Sequence, residues 1–345
     1  MSDSLFAKIT ESNKNYKVMV IAEIGSNHDG SLERAKKLMK CAADCGVDAV
    51  KFQSFTAEGL LNPIQIKGGQ RFENSSYKIL QQLATPTSWY PELIDYAGRL
   101  GLILLSTPFD NEQAKLLDTF NVPVFKVASS DITNYPFLSY LARFSKTILL
   151  STGLAYMSEV ARAVEVIKNA GNNNLVLLHC VSLYPPDFSE VNLKAMITLQ
   201  QVYQLPVGLS DHTPGDAVPL AAVAMGACVV EKHFTDDRNR QGPDHAFAME
   251  INDFASMVVK IRQLERAMGD GIKRPCEAEK GERYSAFRSM HARIKINKGQ
   301  KIKEDMVKIV RPVDGIEAEF ASMVYGKNAK EDIEQNEPIT WDKLI

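Results

Sequence analysis

Charge of one sign is missing from this chain. Its 40 Lys and Arg stand against 42 Asp and Glu, a formal net charge of −2, so no basic surface for nucleic acid or an anionic membrane is implied. Long apolar runs are missing too: none approaches the ~20 residues of a membrane span. The first residues, Met-Ser-Asp-Ser-Leu-Phe-Ala-Lys, lack a signal-peptide layout. Cysteine is scarce and odd in number, with five at positions 41, 45, 180, 228 and 276 in no zinc-ribbon spacing. A disulfide scaffold is therefore not expected, and the thiols read as reduced in a cytoplasmic protein. No Gly-x-Ser-x-Gly is present, which argues against a hydrolase triad.

What is present is a hydrophobic content of 45% in 345 residues, enough for one large domain plus something small. Short Val/Ile/Leu-rich runs alternate with helically spaced segments. Strands are predicted at 18–25, 49–53, 102–108, 124–129, 147–152, 175–182, 207–212 and 228–234, each followed by a helix. The strands are apolar without strict alternation, as in a parallel sheet covered by helices. Eight such units predict a fold of the α/β class, a (β/α)8 or TIM barrel over residues 1–270. The polar stretch 56–86 is too long for a tight connection and reads as a functional, lid-like loop. Residues 271–290 are charged and weakly periodic and read as a linker. From 291 to 345, β-prone pieces alternate with turns, predicting a small, irregular β-rich module.

The strand ends break the apolar pattern. Glu231 and His233 follow a β-branched run and share one face of their strand, as do Ser210 and His212 on the strand before. A single such histidine is more often a satisfied core residue. Two of them, in step on consecutive strands, have the geometry of a metal or catalytic centre. Glu23, Lys51, Thr107, Lys126, Ser151 and Ser182 stand at the same ends of other strands, where barrels of this kind place their active sites.

Two imidazoles suit a borderline divalent metal with positions left open for substrate and water. Glu231 reads equally as ligand, base or hydroxyl clamp. Lys51 and Lys126 lie inside apolar strands, where a desolvated lysine can form a Schiff base. With the hydroxyls of Thr107, Ser129, Ser151, Ser182 and Ser210, they also describe a pocket for phosphate and carboxylate, which is the preferred reading.

Taken together, Ala22-Glu-Ile-Gly-Ser-Asn-His, Lys51-Phe-Gln, Ser106-Thr-Pro-Phe, Phe125-Lys-Val-Ala-Ser, Leu178-His-Cys-Val-Ser-Leu-Tyr-Pro, Val207-Gly-Leu-Ser-Asp-His-Thr, Glu231-Lys-His-Phe-Thr and Gly242-Pro-Asp-His resemble the sialic acid synthase family over essentially the whole chain. The resemblance implies a transferase that condenses phosphoenolpyruvate with an N-acyl hexose. It implies that His212 and His233 hold a divalent ion, Mn2+ or Mg2+. Lys51, Thr107, Lys126, Ser129, Ser151, Ser182 and Ser210 would hold phosphoenolpyruvate. Glu23, Gln53, Tyr184, Glu231 and Asp244 would address the sugar and the metal-bound water. The module at 291–345 would be an antifreeze-like (SAF) domain, whose Arg311 reaches the barrel of a partner chain in a domain-swapped homodimer. Ser182 stands where neuraminate-forming relatives often have Asn, and Asp236 where Leu is frequent. Gly242-Pro-Asp-His favours a neuraminate or legionaminate acceptor, with pseudaminate as the alternative. Two rivals remain: a pyruvate aldolase working through a Lys126 imine, and an ice-binding protein, the latter opposed by Lys298, Lys301, Lys303 and Glu304 in the module.

Overall fold

The computed structural model describes residues 5–14 and 17–345, in two compact units that part after Gly269. The first unit is built on eight parallel strands: β1 Met19–Glu23, β2 Ala49–Ser54, β3 Ile103–Pro108, β4 Val124–Val127, β5 Thr147–Ser151, β6 Leu175–Cys180, β7 Val207–Asp211 and β8 Val229–Thr235. Each pairs with the next, and β8 pairs back onto β1, with Met19 opposite Val229 and Glu23 opposite His233. The sheet is thereby closed, and helices alternate with its strands as the hydrophobic pattern predicts.

The pleat sorts the strand residues into two cores. Outward residues such as Val20, Val50, Leu104, Phe125, Leu150, Leu177, Leu209 and Val230 pack with the helix layer. Inward residues Ile21, Ala49, Leu105, Val124, Leu149, Val176, Leu178 and Val229 fill the lower barrel. A helix, Leu5–Lys14, joins this inner cluster through Leu5, Phe6 and Ile9. Apolar filling thus ends about halfway up. The next inward position on every strand, toward its C-terminal end, is polar or a thiol: Glu23, Lys51, Thr107, Lys126, Ser151, Cys180, Ser210 and Glu231.

Two segments differ from the sequence expectations. The stretch 56–86 is not one loop. It holds a Thr56-capped turn at Ala57–Leu60, an antiparallel hairpin of Ile64–Lys67 with Gln70–Glu73, and a helix, Ser75–Leu83, capped by Asn74. The hairpin turns on Gly68 and Gly69, both left-handed as a two-residue turn of this type requires. The stretch 271–290, expected to be a linker, contains a helix, Glu277–Ala286, opened by Glu279 accepting from the Cys276 amide at 2.9 Å. It buries no residue, so its sequence carries no apolar stripe to read. The second unit is the small, irregular β-rich module expected. Ser289–Ala292 pairs with Val307–Val310, and single bridges such as Ile296 with Ile333 complete its ladders. Its own core gathers Met290, Ile296, Ile302, Val324, Ile333 and Ile339. All five cysteines are unbridged.

Candidate active site

A cavity of about 270 Å3 opens at the C-terminal ends of the strands. Glu23, Lys51, Gln53, Thr107, Lys126, Ser129, Ser151, Tyr184, Ser210, His212, Glu231, His233 and Asp244 all line it, which brings together almost every residue singled out in the sequence. Ser182 does not line it. It lies two residues beyond β6, on the chain just past Cys180, with its hydroxyl so close to Gly153 that a side chain there would collide at 2.4 Å. Arg311 belongs to the second unit, where it is exposed and makes no hydrogen bond or ion pair among the described residues.

One wall is cationic. Lys51 Nζ lies 2.7 Å from Glu23 Oε2 and 3.7 Å from Glu231 Oε1, and donates to Thr107 Oγ1 at 3.3 Å. Lys126 Nζ lies 3.6 Å from Glu231 Oε1 and donates to the Val127 carbonyl at 3.3 Å. Both lysines are almost fully buried. Burial disfavours charge on Lys51, yet Glu23 and Glu231 outweigh it and hold the pKa above the ordinary value. For Lys126 burial wins, and its pKa is lowered. The two carboxyls diverge in the same way. Burial raises Glu23, whereas the two lysines outweigh burial at Glu231 and lower it. Ser210 donates to Glu231 at 3.1 Å, and Gln53 donates to Glu23 at 2.7 Å.

The opposite wall carries the imidazoles. The rings of His212 and His233 are 5.4 Å apart, flanked by Tyr184 at 4.1 Å from His212 and by Phe247 at 4.9 Å from His233. His212 Nδ1 donates to the Val181 carbonyl at 2.9 Å, which leaves the other nitrogen to accept in the neutral ring; burial lowers the His212 pKa, but Cys180 and that carbonyl outweigh burial and raise it. Burial pushes His233 down to about 3, so it is neutral, the form that binds metals. Its Nδ1 is buried without a hydrogen-bond partner, 3.8 Å from Asp244 Oδ2. Asp244 is steadied in turn by Ser26, which donates to it at 2.9 Å. A pair of imidazoles, one of them neutral with an orphaned nitrogen, fits a divalent cation. No group of three or more His, Cys, Asp or Glu among the described residues forms a closed cage, so such an ion would need substrate or water to complete its shell.

A family model described as the NeuB family matches residues 38–273, and an SAF domain model matches residues 287–345. The chain belongs to the sialic acid synthase family. It is 43% identical to N,N'-diacetyllegionaminic acid synthase of Campylobacter jejuni over 92% of this chain and 98% of that protein. It is 36% identical to pseudaminic acid synthase of the same species, over 95% of this chain and 96% of that one. Among solved structures, the N-acetylneuraminic acid synthetase of Leptospira borgpetersenii in complex with citrate aligns with TM-score 0.70 at 33% identity, covering 77% of this chain and 90% of that chain.

Within this sialic acid synthase barrel, the sequence missed some lining residues. Cys180, not Ser182, is the inward group of β6, 4.0 Å from His212 Nδ1. Counting the pleat from Val176 and Leu178 would have found it. Burial would raise the Cys180 thiol, but His212 outweighs burial and lowers it. Phe109, Ala128 and Ser130 also line the cavity. His179, by contrast, points away from it and bonds the Val191 carbonyl at 2.8 Å.

Proposed function

We propose that the chain condenses phosphoenolpyruvate with an N-acyl hexose of the legionaminate or neuraminate type, with water, and releases phosphate by C–O cleavage. The observation that carries this reading is the cavity itself, where a buried lysine pair and a pair of imidazoles share one lining. The 43% identity to a diacetyllegionaminic acid synthase, above the 36% to a pseudaminic acid synthase, supports the choice of acceptor.

Lys51 and Lys126, with the hydroxyls of Thr107, Ser129, Ser151 and Ser210, form a cradle for the phosphate and carboxylate of phosphoenolpyruvate. Ser129 accepts from the Gly153 amide at 3.0 Å, which fixes its hydroxyl at the cavity wall. His212 and His233 would hold Mn2+ or Mg2+, which when bound polarises the sugar aldehyde. Carbon C3 of phosphoenolpyruvate bonds to the aldehyde carbon, and the aldehyde oxygen takes up a proton. Positive charge develops at C2 beside the ionised Glu231, and water adds there, giving up its proton to a carboxylate. The C2 hydroxyl then loses its proton and becomes the ketone oxygen as the bond from C2 to the phosphate oxygen breaks, and the lysines stabilise the departing phosphate. Glu23, Gln53, Tyr184 and Asp244 rim the cavity on the sugar side. Arg311 of one protomer would serve the barrel of a second copy, in a domain-swapped homodimer.

The test is phosphate release from phosphoenolpyruvate in the presence of ManNAc, its phosphate ester, and the legionaminate and pseudaminate precursor sugars in parallel. Release with none of them sinks the reading, and release with the pseudaminate precursor alone reassigns the acceptor. The lowered pKa of Lys126 favours one rival, an imine-forming aldolase. Borohydride reduction in the presence of pyruvate separates the two, and no covalent adduct is expected.

A further inference from the structure

The proposed reaction uses the inward faces of β7 and β8. Their outward faces carry a buried polar group that it leaves unexplained. Lys232 and Asp211 are partners in the β7–β8 register, and they are 2% and 3% exposed. Lys232 Nζ bonds the Asp211 carboxylate and also donates to the Thr213 carbonyl at 2.5 Å. The same carboxylate accepts from the Thr213 amide at 3.1 Å and from the Thr213 hydroxyl at 2.9 Å.

These bonds bracket one residue. Asp211 ends β7, so no ladder holds His212, which follows it. Instead, Asp211 before it and Thr213 after it are both fastened to Lys232. Lys232 is itself the neighbour of His233. Side chains alternate along a strand, so fixing Asp211 and Lys232 on the outer face fixes the two histidines on the inner one. A buried ion pair is a poor source of stability, because desolvation offsets its attraction; fixing a register is the best-attested use of one.

We propose that the Lys232–Asp211–Thr213 clasp is a positioning device that sets the separation of the His212 and His233 imidazoles for a divalent cation. This rests on the cation site proposed above. Ligand-orienting partners of this kind change metal affinity about 10- to 100-fold when altered.

The paired variant Asp211→Asn/Lys232→Met tests it. It removes one charge of each sign, so the net charge near the imidazoles is unchanged, and Asn still accepts from the Thr213 amide. The full chain is titrated with Mn2+ alone, followed by electron paramagnetic resonance of the free ion, with thermal melting and a crystal structure alongside. Expected are a melting temperature within a few degrees of wild type, Mn2+ binding about 10- to 100-fold weaker, and a ring separation that departs from 5.4 Å. Wild-type Mn2+ affinity in a folded variant, or an unchanged ring separation, overturns the proposal. If the wild-type chain binds no Mn2+, the cation reading falls, and the ring separation in the variant still decides the positioning claim. Should the pair fail to fold, Thr213→Val carries the same titration: weaker binding supports the clasp, and unchanged binding at an unchanged melting temperature overturns it.

Discussion

Two serines show how the pleat divides labour at the scale of a residue. Ser106 and Ser151 both precede a threonine at a strand end, and both are buried. Ser106 faces outward and is saturated: it donates to the Phe52 carbonyl at 3.0 Å and lies 2.9 Å from Ser54 Oγ and 2.8 Å from Tyr90 Oη. Ser151 faces the cavity, and its hydroxyl finds no hydrogen-bond partner among the described residues. A buried polar group without a partner weakens the fold unless a ligand supplies one. Ser151→Ala is therefore expected to leave stability unchanged or raise it by up to about 1 kcal/mol, while the KM for phosphoenolpyruvate rises by up to about tenfold. Ser106→Ala should do the reverse, costing about 1–3 kcal/mol with little change in KM. Urea unfolding and steady-state kinetics on the two variants check both. The sequence marked Ser151 and Thr107 by their place at strand ends. On β6 the pleat points to Cys180 as the inward group, whereas Ser182 lies past the strand, where its direction depends on the loop and alternation no longer applies.

At the scale of elements, the barrel was legible because each strand is an apolar run that ends in a polar residue. Pieces without that contrast were not. The helix Leu5–Lys14 and the helix Glu277–Ala286 carry no bounded apolar stripe, and the hairpin within 56–86 is almost wholly exposed. Asp236, noted as unusual for the family, is explained at this scale. It ties the loop after β8 to the helix Leu32–Asp44, accepting from Arg34 Nη2 at 2.5 Å, Arg34 Nη1 at 3.2 Å and Lys37 at 3.0 Å. Burial raises its carboxyl, but the bonds to Arg34 and Lys37 outweigh burial and bring the pKa down to about 2 from 3.8. Because the folded value is the lower one, the tie stabilises the protein above about pH 4, and the contribution is lost as pH falls toward 2. Allowing for solvent screening, it is worth about 1 kcal/mol. Asp236→Asn should therefore lower stability at pH 6 by about that much and at pH 2.5 by only about a third of it, as read by urea unfolding at the two values. An equal loss at both would show that the carboxylate's charge is not what ties the loop.

For the whole molecule the two units raise different questions. The barrel supplies the cavity and every lining residue, whereas Arg311 stands exposed in the second unit without an ion-pair partner among the described residues. An exposed arginine in Val310-Arg-Pro with no hydrogen bond or ion pair among the described residues is accounted for if a second copy uses it. Crossed complementation tests this without any assumption about how the units pack. His233→Ala removes the proposed cation site and Arg311→Ala the proposed reach of the second unit, so each variant alone should be nearly inactive. If sites are completed in trans, a mixed dimer has one site carrying both defects and one carrying neither. Co-expression in equal amounts gives half mixed dimers, so about a quarter of all sites should be intact and about a quarter of wild-type activity should return. If Arg311 serves its own barrel, every site in every dimer carries one defect, and activity should stay at the level of the single variants. The measurement is phosphate release by the co-purified mixture, set against each variant expressed alone.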